Sequence, residues 1–310
     1  MLFRQRRQVL SLDSSLLLTR GNPLGWSSII DYLHPERGIY TGVCDCRSGL
    51  TPLVGQLHGV IGERTARLTY VIPADALDSP ELVDLLESLV RKAGEWGVFS
   101  LAAEVEEQSP AFEALRRAGF KVYARQQVYQ CRLSALPQKV PAVNNWKVAG
   151  GDHQISLRSL YQALVPPLVQ AVEPLPVGSG RGLVYCQDGD VKAFTGAKFG
   201  PQGVFLTPLI HPELTSIPQL LSPLITRLEP LLGRPVFLAV RAYQGWPETQ
   251  MGDILEPCLP PQVLMVRHLG LLQRVVATNG RREVLETSSA QPTTTVLNQA
   301  ATRSDEPLGC

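Results

Sequence analysis

Leu68-Thr69-Tyr70-Val71-Ile72-Pro73 returns 138 residues later as Leu206-Thr207-Pro208-Leu209-Ile210-His211. At the same spacing Ser79-Pro80 meets Ile217-Pro218, Val98-Phe99 meets Val236-Phe237, and Val128-Tyr129 meets Val266-Arg267. Few residues are identical, but the order of apolar runs, prolines and gaps is kept. Solenoid units run to only about 20–50 residues, so a period this long predicts two copies of one whole domain.

Working outward from the first stretch, Leu53–Ile61 and Ala66–Ile72 read as a hairpin turning at Gly62-Glu63-Arg64, with a short strand at Gly38–Cys44 before it. Val9–Thr19 reads as a strand with its approach, and Trp26–Leu33 as a helix. Beyond the hairpin, Leu82, Leu85, Leu86, Leu89, Val90 and Ala93 fall on one helical face, with Ser79 as N-cap and Pro80 at the first helical position. Val98–Ala103 reads as a buried strand, and Ser109-Pro110 opens a second helix that Gly119 closes. Phe120–Leu133 is strand-rich, with a bend expected at Arg125-Gln126-Gln127. The second copy follows the same plan: a helix over Ile155–Leu164 stopped by Pro166-Pro167, strands at Gly182–Cys186, Val191–Lys198 and Gly203–Ile210, a helix with Leu220, Leu221, Leu224, Ile225 and Leu228 on one face, then strands at Val236–Val240 and Val263–Leu269. The division expected is 1–136 for the first domain, 137–145 for a linker, 146–272 for the second domain and 273–310 for a disordered tail. The tail's Ser, Thr, Gln, Asn and Ala cannot bury enough surface to offset the entropy of ordering.

Composition narrows the function. With 44% hydrophobic and 18% charged residues the chain reads as globular, and a net charge of +1 offers no field to draw nucleic acid or an acidic membrane. No run of about 18 apolar residues exists to span a bilayer. The basic start, Arg4, Arg6 and Arg7, is not followed by an apolar core of signal-peptide length, so a cytoplasmic location and reduced cysteines are expected. Cys44-Asp45-Cys46 has no matching pair, and no metal site is expected. Gly178-Ser179-Gly180-Arg181-Gly182 looks like a phosphate loop but precedes a strand, which fails the context such a loop requires.

Each copy thus runs through helices near its start, antiparallel strands, a helix, a strand, a helix and closing strands, an α/β order with a mixed sheet. That order, with Ala111-Phe112-Glu113-Ala114-Leu115-Arg116-Arg117-Ala118-Gly119-Phe120, resembles the GCN5-related N-acetyltransferase (GNAT) family, in which a short helix ending in Gly-Phe precedes the final strands. The resemblance implies two GNAT-like acyl-CoA N-acyltransferase folds in tandem, the second more degenerate. It implies a strand that splays from its neighbour and offers backbone groups to the pantetheine arm of acetyl-CoA or another acyl-CoA, followed by a loop and helix start that hold the pyrophosphate. On these residues Tyr70, Val71 and Ile72 would lie along the cofactor and Ser79 at the helix start. Glu104, at the end of the buried strand, or a water would take the amine's proton; the family's tyrosine position falls on Leu115, and Tyr123 or Tyr129 in the closing strands would donate a proton instead. The acceptor would be a small-molecule or peptide amine.

The loop departs from the family pattern. Ala76 stands where Arg or Gln is expected, Ser79 and Glu81 replace glycines, and Asp75, Asp78 and Glu81 would repel a pyrophosphate. The second loop, Pro212–Gln219, has no glycine. Arg241, Tyr243 and Trp246, after the second copy's buried strand, offer a cation and two aromatic rings to an anionic or planar ligand. Two readings stand side by side: an acyltransferase, with activity weak in one copy, and a catalytically inactive tandem used as a binding or scaffold module. In either case a monomer with an internal pseudo-dimer is expected.

Overall fold

The computed structural model describes residues 9–21, 37–45, 52–60, 63–74, 77, 79–132, 135, 145–175, 182–228, 233–245 and 254–269. The helix expected at Trp26–Leu33, most of the linker, the tail, Gly178–Arg181 and Trp246 lie outside the described residues.

The first copy runs β1 (Leu10–Ser11), α1 (Ser14–Arg20), β2 (Arg37–Cys44), β3 (Leu53–Val60), β4 (Thr65–Ile72), α2 (Glu81–Glu95), β5 (Ser100–Glu106), α3 (Pro110–Arg117) and β6 (Lys121–Cys131). The second runs β7 (Trp146–Val148), α4 (Gln154–Leu164), α5 (Pro167–Val172), β8 (Gly182–Gln187), β9 (Asp190–Phe199), β10 (Val204–Ile210), α6 (Ile217–Leu228), β11 (Val236–Arg241), β12 (Leu255–Pro257) and β13 (Gln262–His268). The GNAT-like order recurs, except that among the described residues only a 3-10 turn, Ala242–Gln244, stands between β11 and β12 where the first copy has α3. In each copy an antiparallel set ends in one parallel pair, β4 with β5 and β10 with β11.

Among the described residues the strands join one continuous sheet, eleven of them in the order β2-β3-β4-β5-β13-β6-β11-β10-β9-β8-β7, with β1 paired to β4 and β12 to β6. From either end the roles repeat: β2 answers to β8, β4 to β10, β5 to β11. At the centre the closing strands have changed places. β13 of the second copy pairs with β5 of the first, and β6 of the first pairs with β11 of the second. β6 and β13 also pair with each other, antiparallel. The register slips between Leu264 and Met265, so Tyr123 is the extra residue on β6. The irregularity thus falls at Tyr123, not at Arg125–Gln127.

Packing follows from this order. β5 is buried on both faces: Leu101, Ala103 and Val105 meet the core under α2 and α3, while Ala102 faces the core that includes Leu157 and Leu160 of α4 and Val169 and Val172 of α5. β13 does the same with Val263 and Met265 on one side and Leu264 and Val266 on the other. A strand covered on both sides has no polar alternation, which is why these runs read as continuous apolar stretches. The leucine faces of α2 and α6 are core, as expected. α2 lies close on its sheet because β2 and β3 present glycines there: a Cβ on Gly55 would sit 2.7 Å from Leu89 Cδ1, and one on Gly42 2.9 Å from Leu89 Cδ2.

Three local expectations are corrected. Val9–Thr19 is only briefly strand, because Asp13 accepts a hydrogen bond from Leu16 N and starts α1 as its N-cap. Pro166-Pro167 stops α4 but also opens α5, since proline suits a first helical turn. α2 begins at Glu81 after Pro80, and Ser79 spends its hydroxyl on the Glu81 carboxylate instead of capping. No helix among the described residues is long and apolar enough to cross a membrane.

Because each copy closes the other's sheet, neither can unfold alone. Denaturation followed by tryptophan fluorescence and by far-ultraviolet circular dichroism should give one coincident transition; two separated transitions would contradict the exchange.

Candidate functional site

The place to look is the fork where the parallel strands part. In the first copy β4 and β5 are paired only at Thr65–Ser100, Ala66–Leu101 and Arg67–Ala102. Past Arg67 the fork holds β1. Leu10 and Ser11 pair with Val71 and Tyr70, Leu12 N donates to Thr69 O at 2.8 Å, and Glu104 N donates to Leu12 O at 2.9 Å. The main chain of residues 10–12 thus bridges both arms, and Leu12 is buried in the first copy's core. Tyr70, Val71 and Ile72 are buried as well. The strand edge that the resemblance assigns to pantetheine is lined by the chain's own β1.

The second fork is bridged differently. β10 and β11 pair at Val204–Val236, Phe205–Phe237 and Leu206–Leu238. Beyond them the carboxamide of Gln244, in the turn after β11, donates Nε2 to Pro208 O at 2.7 Å and accepts from Ile210 N at 3.3 Å. Pro208 has no N–H to give at that edge. In each fork, backbone groups on the first strand are bonded by the protein itself.

Below the forks lies a buried polar network built from both copies. Glu104 accepts three hydrogen bonds: from Ser14 N at 2.9 Å and Gln126 Nε2 at 3.1 Å on Oε2, and from Arg67 Nη1 at 3.1 Å on Oε1. Glu173, at the end of α5, takes Arg241 Nη2 on both oxygens at 2.7 and 2.9 Å and the Tyr123 hydroxyl on Oε1 at 2.7 Å. Arg241 Nη1 donates to Gln126 Oε1, and Tyr161 donates its hydroxyl to Glu173 O. Gln262 Oε1, on β13, accepts from Ser14 Oγ at 2.7 Å and from Gln126 Nε2 at 2.9 Å. Lys198, an exposed residue at the network's edge, donates its Nζ to Ser15 Oγ at 2.8 Å. Three carboxylates, Asp13, Glu104 and Glu173, stand against three cations, Arg67, Lys198 and Arg241.

The charge states follow from that balance. Burial alone would raise Asp13 and Glu173; Lys198 and Arg67 around the first, and Arg241 and Arg67 around the second, hold both below the ordinary carboxylate values. Burial, and then the Glu173 carboxylate, push Tyr123 well above its usual value, so it keeps its proton. Burial pushes the half-buried Tyr243 up to about 12.

Of the residues singled out in the sequence, Glu104, Tyr123 and Arg241 are thus brought together in one network, each bonded to protein partners. Glu104, 5% exposed and holding three donors, has no open side toward an amine. Tyr243 packs beside this core, Ser79 is at the start of α2 bonded to Glu81, and Tyr70–Ile72 line the occupied fork. Asp13, Arg67, Glu173, Lys198, Gln126 and Gln244 were not singled out. Asp13 could have been found as a helix cap before Ser14-Ser15, and Arg67 as a charge inside an apolar strand.

No protein-family model and no curated protein matches the chain. Among solved structures it is similar to a tandem GNAT protein from the clavulanic acid biosynthesis pathway, at 18% identity over 76% of this chain and 84% of that one, with a TM-score of 0.43. It is similar also to a GCN5-related N-acetyltransferase from Kribbella flavida (15%, 71% and 88%, 0.46) and to one from Sphaerobacter thermophilus (13%, 80% and 87%, 0.43). These likenesses are too distant to speak for a ligand or an activity; the GNAT-like architecture is read from the strand order and the two parallel forks.

Removing Arg241 leaves the Glu173 carboxylate without the Nη2 that donates to both of its oxygens. Arg241→Ala should cost about 3 kcal/mol or more in denaturant unfolding, and Arg241→Met with Glu173→Leu should cost much less. A small loss in the single variant would mean that the pair is not structural. Acid should act on the same groups. Asp13 and Glu173 are held below their ordinary values of 3.8 and 4.5, so their stabilisation is complete above those values and drains away as pH falls below about 4.5. Unfolding midpoints measured between pH 7 and pH 2 should fall only in that lower range; a flat profile would contradict the assignment.

Proposed function

We propose that this chain is a tandem GNAT-fold binding or scaffold protein in which acyl transfer has been given up. One observation carries the reading: β1 lies in the first fork with its main chain bonded to both arms, where an acyl-CoA would have to run. Three further features support it. Gln244 bonds the second fork's open edge. Glu104, the expected base, is buried under three donors. Glu81 and Asp84 place carboxylates in the first turn of α2, where a pyrophosphate would need positive charge.

A second reading keeps acyl-CoA in the second copy alone. It is favoured by the bridge there being one side chain, which a rotamer change could withdraw, whereas β1 is anchored by the buried Leu12 and the Asp13 cap.

Calorimetric titration of the full chain with acetyl-CoA separates these readings. The proposal expects no saturable heat up to millimolar ligand and no release of CoA thiol in the presence of amines. Saturable binding that Gln244→Ala tightens would establish the second reading. Saturable binding indifferent to Gln244, with thiol release, would return the chain to the acyltransferases, with Tyr70–Ile72 beside the cofactor and Glu104 or a water as base.

A further inference from the structure

The second copy carries a recess of about 470 Å³ on the far side of β10 from the fork, between the ends of β7 and β8 and the segment leading into α6. Its floor is apolar: Trp146, whose ring meets Tyr185 edge-on with centroids 5.7 Å apart, together with Leu220 and Pro223. The indole N–H is already given to Leu220 O at 2.9 Å. Around this floor stand six uncharged polar side chains, those of Asn145, Tyr185, Gln187, Thr215, Ser216 and Gln219. None of the six bonds to another described residue through its side chain. The network at the centre of the sheet is the opposite case, since there the polar groups are tied to one another.

The chemistry of the lining selects among ligands. Three amides and three hydroxyls supply donors and acceptors together, with no net charge. The one ionised group of the lining, Glu213, is engaged by Lys192 Nζ at 3.0 Å and lies 3.4 Å from His211 Nδ1. An anion would meet that carboxylate and no free cation, and a cation would have to compete with Lys192. A flat aromatic ligand would need an open ring face, but Trp146 is buried with only 1% exposure and Tyr185 stands across it. What remains is a neutral molecule with hydroxyls around its rim and an apolar C–H face for the floor. The volume is within the range of small-ligand sites.

We propose that this recess binds a neutral saccharide unit, with Asn145, Thr215 and Gln219 holding its hydroxyls and the aliphatic Leu214 and Pro223 under its C–H face. Five of its residues, Glu213 to Ser216 and Gln219, belong to the Pro212–Gln219 loop, so the proposal rests on the reading in which acyl-CoA does not occupy the second copy.

The test uses the full chain with methyl α-glucoside and N-acetylglucosamine as probes, and glucose 6-phosphate as the charged control, read by saturation-transfer NMR and calorimetry. The expected result is saturable binding of at least one neutral probe, weakened roughly tenfold by Gln219→Ala and by Asn145→Ala, as for the loss of a hydrogen bond to a bound ligand. Gln219 is exposed and Asn145 half-buried, and circular dichroism verifies that both variants fold. The proposal falls if neither neutral probe saturates, if binding survives both alanine substitutions, or if glucose 6-phosphate binds as tightly as the neutral sugars.

Discussion

Everything in this molecule hangs on the antiparallel pairing of β6 with β13. Those strands close the sheet of the copy that did not make them. Cores on both faces of the sheet are built against that seam: Leu264 and Val266 face the helices of the second copy, and Val263 and Met265 face those of the first. Backbone hydrogen bonds fix the register, and the extra residue at Tyr123 turns its hydroxyl to Glu173. The polar network is the seam's second layer. It takes Asp13, Arg67, Glu104 and Gln126 from the first half and Glu173, Lys198, Arg241 and Gln262 from the second. Such a network specifies one arrangement because a shifted register would leave charges buried without partners.

Occupied forks and a crowded base belong together. A catalytic carboxylate needs an open lone pair and a route for substrate, whereas a structural one needs donors on all sides. Glu104 has the second environment, and the same residues that crowd it, Ser14 and its neighbours, bring β1 into the first fork. With β1 in place the first fork is a packed layer, with no open edge there and with Leu12 in the core. The second copy's fork is held by a single carboxamide.

Much of the fold was legible in the chain. The repeat at 138 residues, the leucine faces of α2 and α6, and the hairpin of β3 and β4 all follow from periodicity. The exchange of closing strands was not, because a run such as Val263-Leu264-Met265-Val266, buried on both faces, suits either neighbour equally. The start of α1 was hidden by Leu16-Leu17-Leu18, whose lack of alternation fits a buried strand as well as a short helix; the Asp13 cap decides it. For the site, Glu104, Tyr123 and Arg241 could be singled out one at a time. Their partners lie 22 to 115 residues away, and no local pattern announces which charge will meet which.

The traded strands also bear on how such a chain can change over generations. A substitution in β6 or β13 is felt by both halves at once, so those positions must satisfy two neighbours. The outer rims, such as the recess beside Trp146, answer to one half only and are free to specialise. Traded strands of this kind make one spine common to both halves, with an outer end of the sheet on each side that answers to a single half.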